Sequence, residues 1–300
     1  MPRALIPFGL FLAACASPVG VAPAPVDTAA APEREASTEP FNPKSERKGI
    51  SVGGLILDCN RHLRIWQEAM GRSRTQENSE TIRWTEAALA ALVNREREKL
   101  EQEAATGPTR NRAIASAALG FAPGPRTLTY LLNNLNSQDP FVLANTLLGI
   151  GAMGDAETPL DILADTLLKE DLPLEVTRNG LFAGHRLAAR LRDDPGGHLS
   201  RLFLSHLDFP DTGVRAQAAS GLGLTRSGIA VEALAHSLRG DSEALVRTAA
   251  AFALGEIGSS AGISVLTTAL LDPSLQVSGT ARGSLRKIEL AGKASGSRGG

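Results

Sequence analysis

Between residues 108 and 290 the apolar positions fall into short runs of one kind, separated at intervals by acidic turns. Ala117-Ala118-Leu119-Gly120 recurs as Thr146-Leu147-Leu148-Gly149, as Ser220-Gly221-Leu222-Gly223 and as Phe252-Ala253-Leu254-Gly255. A weaker copy closes the series at residues 281–288. The turns are Asp139-Pro140, Asp171, Asp211, Asp241 and Asp272-Pro273. Anchor glycines lie 29 residues apart between 120 and 149 and 32 apart between 223 and 255, and the gap of 74 between 149 and 223 holds two units. Self-similarity at a fixed period of this length is the mark of a repeat architecture.

Each unit parses into two short helices. The first carries V-x-x-x-A-x-x-x-L-G, as in Val214 to Gly223. The second carries apolar residues four apart, which share one helix face: Leu131/Leu135, Leu163/Leu167, Phe203/Leu207, Leu234/Leu238 and Leu266/Leu270. Asp or Ser ahead of each first helix is placed to cap its free N–H groups, and Pro140 and Pro273 stand where a missing N–H costs nothing. Alanines let neighbouring units approach closely and leucines bury the seam; a lone unit has no means of covering both faces, so the units must stack. The expectation is an all-α, right-handed α-solenoid of about five to six helix pairs over residues 107–290.

Upstream, residues 49–106 read as a helical region that closes one end of the stack. Ile50 to Leu57 forms a short buried run. Ser79 to Glu103 forms one long helix with Ile82, Leu89, Leu92, Val93 and Leu100 along a face. Its alternating charges from Asn94 to Glu103 suit a solvated face rather than a coiled coil. Residues 291–300 are a Gly/Ser tail with little to bury and are expected to be disordered.

The amino terminus has a different pattern. Arg3 precedes an apolar stretch from Ala4 to Ala14. As a helix it would cover roughly 16 Å at ~1.5 Å per residue, about half of a ~30 Å hydrocarbon core. Such a segment reads as a cleaved export signal, residues 1–14, rather than a membrane span. Residues 15–48 hold six prolines between Pro18 and Pro43 and no helical or strand period, so they form a linker. Such a chain averages ~30 Å end to end as a coil and reaches about 100 Å as polyproline II.

Composition agrees with the helical pattern: 45 alanines and 42 leucines dominate the 300 residues. Charge removes further possibilities. With 31 basic against 32 acidic side chains there is no field to draw in nucleic acid. Two cysteines make neither a disulfide framework nor a four-thiolate zinc site. Aromatic residues are 4% of the chain, too few for a platform that stacks bases or sugars.

No catalytic constellation emerges. His198 and His206 are eight residues apart, about 12 Å along a helix axis, without carboxylate or thiolate partners at metal-site spacing. His185 and His236 sit singly in helices, as packing or solvent-facing side chains. Cys59 has only His62 as a local base and reads as a buried or dimer-linking thiol, not a nucleophile. No phosphate-cradling loop, nucleophile elbow or HExxH occurs. The expectation is a binding protein without catalytic residues, metal or cofactor, and with no small-molecule substrate.

Two resemblances sharpen this. Leu12-Ala13-Ala14-Cys15 resembles the lipobox of bacterial lipoproteins. That resemblance implies cleavage between Ala14 and Cys15, a diacylglyceryl group on the Cys15 sulfur and acylation of its amino group. Two or three acyl chains hold a protein on a bilayer, where one does so only marginally. Ala16, in place of the aspartate that marks inner-membrane retention, implies the outer membrane, with the protein facing the periplasm.

Asp211-Thr-Gly-Val-Arg215-Ala-Gln-Ala-Ala219 with Leu222-Gly223, and Glu243 to Ala250 with Leu254-Gly255-Glu-Ile-Gly258, resemble HEAT repeats of the short, phycobilisome-lyase-type form. The copies at 171–207 and 272–290 lack the Val-Arg pair. In such repeats Arg215 and Arg247 are implied to form a structural ladder with the turn aspartates of neighbouring units. Second helices are implied to line the concave side. By the leucine register their polar positions there are Thr129, Asn133, Asp161, Asp165, Arg201, Ser205, Glu232, His236, Ser264 and Thr268. That set lacks a basic stripe and an apolar groove, which leaves a protein or peptide as partner. The reading is a scaffold anchored to the cell envelope by an N-terminal lipid; the alternative is an enzyme or accessory subunit related to the lyase-type proteins.

Overall fold

The computed structural model describes residues 50–72 and 75–296; the leader, Cys15, the linker and residues 297–300 lie outside them. Thirteen α-helices and no strand occur among the described residues. The chain is an all-α repeat solenoid.

α1 (Val52–Met70) and α2 (Gln76–Thr106) form the N-terminal end. Five helix pairs follow: α3 (Thr109–Leu119) with α4 (Thr127–Asn134), α5 (Pro140–Met153) with α6 (Leu160–Leu167), α7 (Leu174–Leu191) with α8 (His198–Leu204), α9 (Thr212–Thr225) with α10 (Val231–Gly240), and α11 (Ala244–Ile257) with α12 (Ile263–Thr268). A last first-type helix, α13 (Leu275–Gly296), closes the series.

The starts of these helices follow from local chemistry. Ser51 Oγ accepts from Gly54 N at 3.2 Å and Thr75 Oγ1 from Asn78 N at 3.1 Å. Asp139 Oδ1 accepts from Phe141 N at 2.9 Å with Pro140 in the first turn, and Asp211 Oδ1 from Val214 N at 3.0 Å. Each bond satisfies a helix N–H that has no intrahelical acceptor. Asp171 departs from this expectation: it sits at φ 57°, and α7 starts after Pro173 without a side-chain cap.

Two extents differ from the sequence reading. The run from Ile50 belongs to α1, whose buried Leu55, Ile56, Cys59, Leu63, Trp66 and Met70 keep helical spacing far beyond Leu57. At the other end α13 continues to Gly296, past the boundary expected at residue 290. Alanines extend it, and Lys293 Nζ meets Glu289 Oε1 at 2.6 Å one turn back, a pair that suits a helix C-terminus.

The first helices stack on one another, and the second helices lie alongside as a looser layer. Nine of the ten apolar residues that define the second helices are buried, and Leu270 is half-buried. Each full burial of such a side chain stabilises by about 1.5–3 kcal/mol. Polar groups also cross between units inside this core. Asn179 Nδ2 donates to Ala144 O at 2.9 Å and Ser284 Oγ to Ala251 O at 2.8 Å.

One position controls the distance between first helices. Nine residues after Val214 and Val246 stand Gly223 and Gly255. A Cβ on Gly223 would lie 2.7 Å from Ala253 Cα, and one on Gly255 would strike Ser284. Nine residues after Val277 stands Arg286, exposed on the outer side of α13. There a charged side chain stands in place of the glycine, so the close approach seen at Gly223 and Gly255 is not built on that side of α13.

At the N-terminal end α1 reaches over the first helices. The Trp66 ring meets Phe121 edge-on at 5.1 Å and Phe182 of α7 at 5.9 Å, and its Nε1–H donates to Glu86 Oε1 at 3.0 Å. Three of the chain's twelve aromatic residues thus meet in one joint between the end cap and the repeats.

Candidate interaction surface

The ten polar positions assigned from the leucine register are all exposed, two on each of five successive second helices. Their exposure follows from the helix: buried residues at i and i+4 leave the intervening turn facing outward. Thr129 and Asn133 lie on α4, and Asp161 and Asp165 on α6. Arg201 lies on α8, with Ser205 at its C-cap. Glu232 and His236 lie on α10, and Ser264 and Thr268 on α12.

Two of these side chains are joined across units. Arg201 Nη2 meets Asp165 Oδ1 at 2.8 Å, both largely exposed, so the pair orders the surface more than it stabilises it. Ser205 Oγ donates to Leu202 O at 2.8 Å, and Thr268 Oγ1 to Ser264 O at 3.2 Å. His236 borders a cleft of about 290 Å³ with Phe209, Arg215 and Asp241. The face therefore offers carboxylates, hydroxyls, one amide, one guanidinium and one imidazole in a row, without Phe, Tyr or Trp among the ten.

The arginines form a ladder. Arg215 Nε and Nη2 donate to Asp241 at 2.8 and 3.1 Å, while Nη1 donates to Phe209 O at 3.0 Å and Pro210 O at 3.1 Å. Arg247 repeats the arrangement one unit on, with Asp272 at 2.8 and 3.0 Å and with Asp241 O at 2.9 Å and Ser242 O at 3.0 Å. Each guanidinium thus ties its own turn to the next unit's aspartate by a forked pair.

A third rung was not read from the sequence. Arg178 Nη2 meets Asp211 Oδ2 at 2.7 Å. It escaped notice because it stands two residues after Val176, where the pattern places arginine one residue after valine. The guanidinium's length absorbs the offset.

The Arg247 bond, ahead of the opposing effect of burial, holds the Asp272 carboxyl below the usual carboxylate range. Burial acts to raise Asp241, but the Arg215 and Glu243 N–H bonds and the nearby guanidiniums leave it below that range as well. A depressed native value means that the stabilisation is complete above the ordinary carboxylate pKa of about 3.9 and is lost as pH falls through the native value. Asp272→Asn is expected to lose about 1–3 kcal/mol at pH 7, the scale of hydrogen bonds to charged groups. It should also soften the acid limb of a melting-temperature profile between pH 6 and 2. A variant with wild-type stability at pH 7 would remove the ladder from the account of stability.

Three further titratable groups, His185, His206 and Cys59, are buried and serve packing. His185 is buried between α7 and α9 with Nε2 3.2 Å from Ser220 Oγ, and burial pushes its pKa down to about 4. His206 is lowered by burial too, its Nδ1 2.8 Å from Leu202 O and its ring stacked on Phe209. Burial, with Asp58 adding to it, pushes the Cys59 thiol up to about 12, which keeps it protonated and inert. No group of three or more potential metal ligands occurs among the described residues.

The family model of HEAT repeats matches residues 200–286, the stretch that holds the last units of the solenoid. Among solved structures the chain is similar to an engineered protein at 18% identity, covering 64% of this chain and 98% of that one with a TM-score of 0.52. A designed armadillo repeat protein is 17% identical over 79% of this chain and 100% of its own, with a TM-score of 0.46. The complex of CpcE and CpcF of phycocyanin lyase from Nostoc sp. PCC7120 gives 16% identity, coverage of 84% and 99%, and a TM-score of 0.41. These identities speak for fold alone. No curated protein matches the chain.

Proposed function

We propose that this chain is a lipid-anchored scaffold of the bacterial cell envelope that binds a protein partner along its second helices and does no chemistry of its own. The observation that carries the reading is the continuous row of exposed polar side chains, two per unit over five units, on a repeat frame. Repeat frames of this kind present extended surfaces, which suit a macromolecule better than a small ligand. His185, His206 and Cys59 are buried in packing positions, where burial disfavours their charged forms.

The anchor rests on Leu12-Ala13-Ala14-Cys15, which lies outside the described residues. Lipid on Cys15 would hold the protein at the outer membrane, facing the periplasm, with the linker as spacer. No helix among the described residues is long and apolar enough to cross a membrane, so a lipid would be the means of attachment for this part of the chain.

Two variants test the two halves. Cys15→Ser is expected to move the protein from the membrane fraction to the soluble fraction; unchanged partitioning into detergent would refute the anchor. Asp161→Lys with Asp165→Lys is expected to deplete at least one protein captured from crosslinked envelopes. An unchanged set of captured proteins, measured by mass spectrometry on a variant with wild-type melting, would refute the binding face.

A further inference from the structure

Five first helices are each followed by a second helix, whereas α13 is followed by none among the described residues. An inner second helix such as α8 packs against the preceding second helix α6, its own first helix α7 and the next first helix α9. Beside α12 and α13 the first two of these surfaces are present, and no helix among the described residues covers them.

What remains there is a cleft of about 980 Å³ between α12 and the C-terminal half of α13. Its apolar part is made by Ile263, Leu270, Leu285 and Ile288; Arg282 and Arg286 stand one turn apart beside them, and the one carboxylate of the lining, Glu289, is paired with Lys293. Neither arginine has an ion-pair or hydrogen-bond partner among the described residues, whereas Lys287 and Lys293 on the same helix are paired with Glu256 and Glu289. At the near end of α13, Leu271 and Leu275 are 88% and 89% exposed, the two most exposed large apolar side chains described.

We propose that this cleft receives an acidic amphipathic helix from a partner protein, seated against α12 and α13 where a second helix would lie. Its apolar face would match what the inner second helices bring to the same kind of place, two leucines four residues apart. Its carboxylates would pair with Arg282 and Arg286, which are set to take them in forked geometry.

A second copy fits less well: docking by this face it would bring another Arg282 and Arg286 to a rim whose carboxylate, Glu289, is already paired with Lys293. The proposal concerns the end of the array and is independent of the second-helix face.

The test uses the purified full chain and a fluorescein-labelled synthetic helix with two leucines four apart and glutamates on the flanking positions. A twin peptide carries lysines in place of the glutamates. Anisotropy titrations should show the acidic peptide binding at least about tenfold more tightly than its twin, and Arg282→Glu with Arg286→Glu should reverse that order. Leu285→Asp should abolish binding; because Leu285 is half-buried, Ile263→Asp at the exposed rim is the second variant should the first unfold. Asp161→Lys with Asp165→Lys should leave the affinity unchanged, which separates this site from the second-helix face. Equal affinity for the two peptides, or a preference that survives the double arginine reversal, would overturn the proposal. So would a concentration-dependent dimer in sedimentation that the same reversal abolishes.

Discussion

Phe203→Ala is expected to destabilise the protein by about 3–5 kcal/mol, the range for deleting a fully buried aromatic side chain. Phe203 is completely buried on α8. Its ring occupies the space left by the missing side chains of Gly221 on α9 and Gly184 on α7: a Cβ built on Gly221 would come within 2.5 Å of the ring, and one on Gly184 within 3.3 Å. One second-helix side chain therefore fixes the separation of two first helices. The glycines have no side chains to move into the void, so the cavity should persist rather than collapse. Urea unfolding followed by far-UV circular dichroism measures the loss. Leu290→Ala, at an exposed position on α13, serves as the reference and should change stability by less than about 0.5 kcal/mol. A Phe203→Ala loss below 1 kcal/mol would show that the seam re-packs.

The pair Phe203/Leu207 was legible in the sequence as one of five equivalent pairs, and so was the outward face that each pair implies. Period and spacing carried those readings because they depend only on helical geometry. Where the sequence misled, a local interaction prevailed over the repeat. Arg178 reaches its aspartate from a shifted position. Asp171 gives up capping for a left-handed turn, and α13 outruns its Gly/Ser boundary on alanines and a lysine–glutamate pair. The aromatic joint of Trp66, Phe121 and Phe182 brings together residues far apart in sequence, and no periodicity marks such a contact. The open cleft at α13 was invisible for a related reason. A second-helix place left uncovered among the described residues is evident only once the inner units show where such a helix belongs.

Gly120→Val should do more than lower stability; it should break the cooperativity of unfolding. Gly120 has ordinary helical φ of −63°, so its reason to be glycine is contact and not conformation. A Cβ there would fall within the Gly149 backbone, with Gly149 C and Cα at 2.8 Å. Backbone is the one neighbour that has no rotamer to yield, and overpacking of this kind costs typically 1–3 kcal/mol and occasionally more. The location decides how the cost is expressed. α3 and α5 form the main joint between the N-terminal end and the remaining units, beside the smaller Trp66–Phe182 contact, and a stacked array transmits stability mainly through such nearest-neighbour interfaces. Weakening one interface uncouples the two sides. Both tryptophans, Trp66 and Trp84, lie on the N-terminal side in α1 and α2. Their fluorescence reports that side, while far-UV circular dichroism reports the whole array. In the wild type the two signals should unfold together in urea; in Gly120→Val the fluorescence transition should shift to lower urea than the dichroism. Gly279→Ala is the matching control: it is helical, with nothing within 4 Å of the added Cβ, and should gain up to about 1 kcal/mol from helix propensity alone. Coincident transitions in Gly120→Val would mean that the joint at α3 and α5 is not where the array's cooperativity depends on close contact.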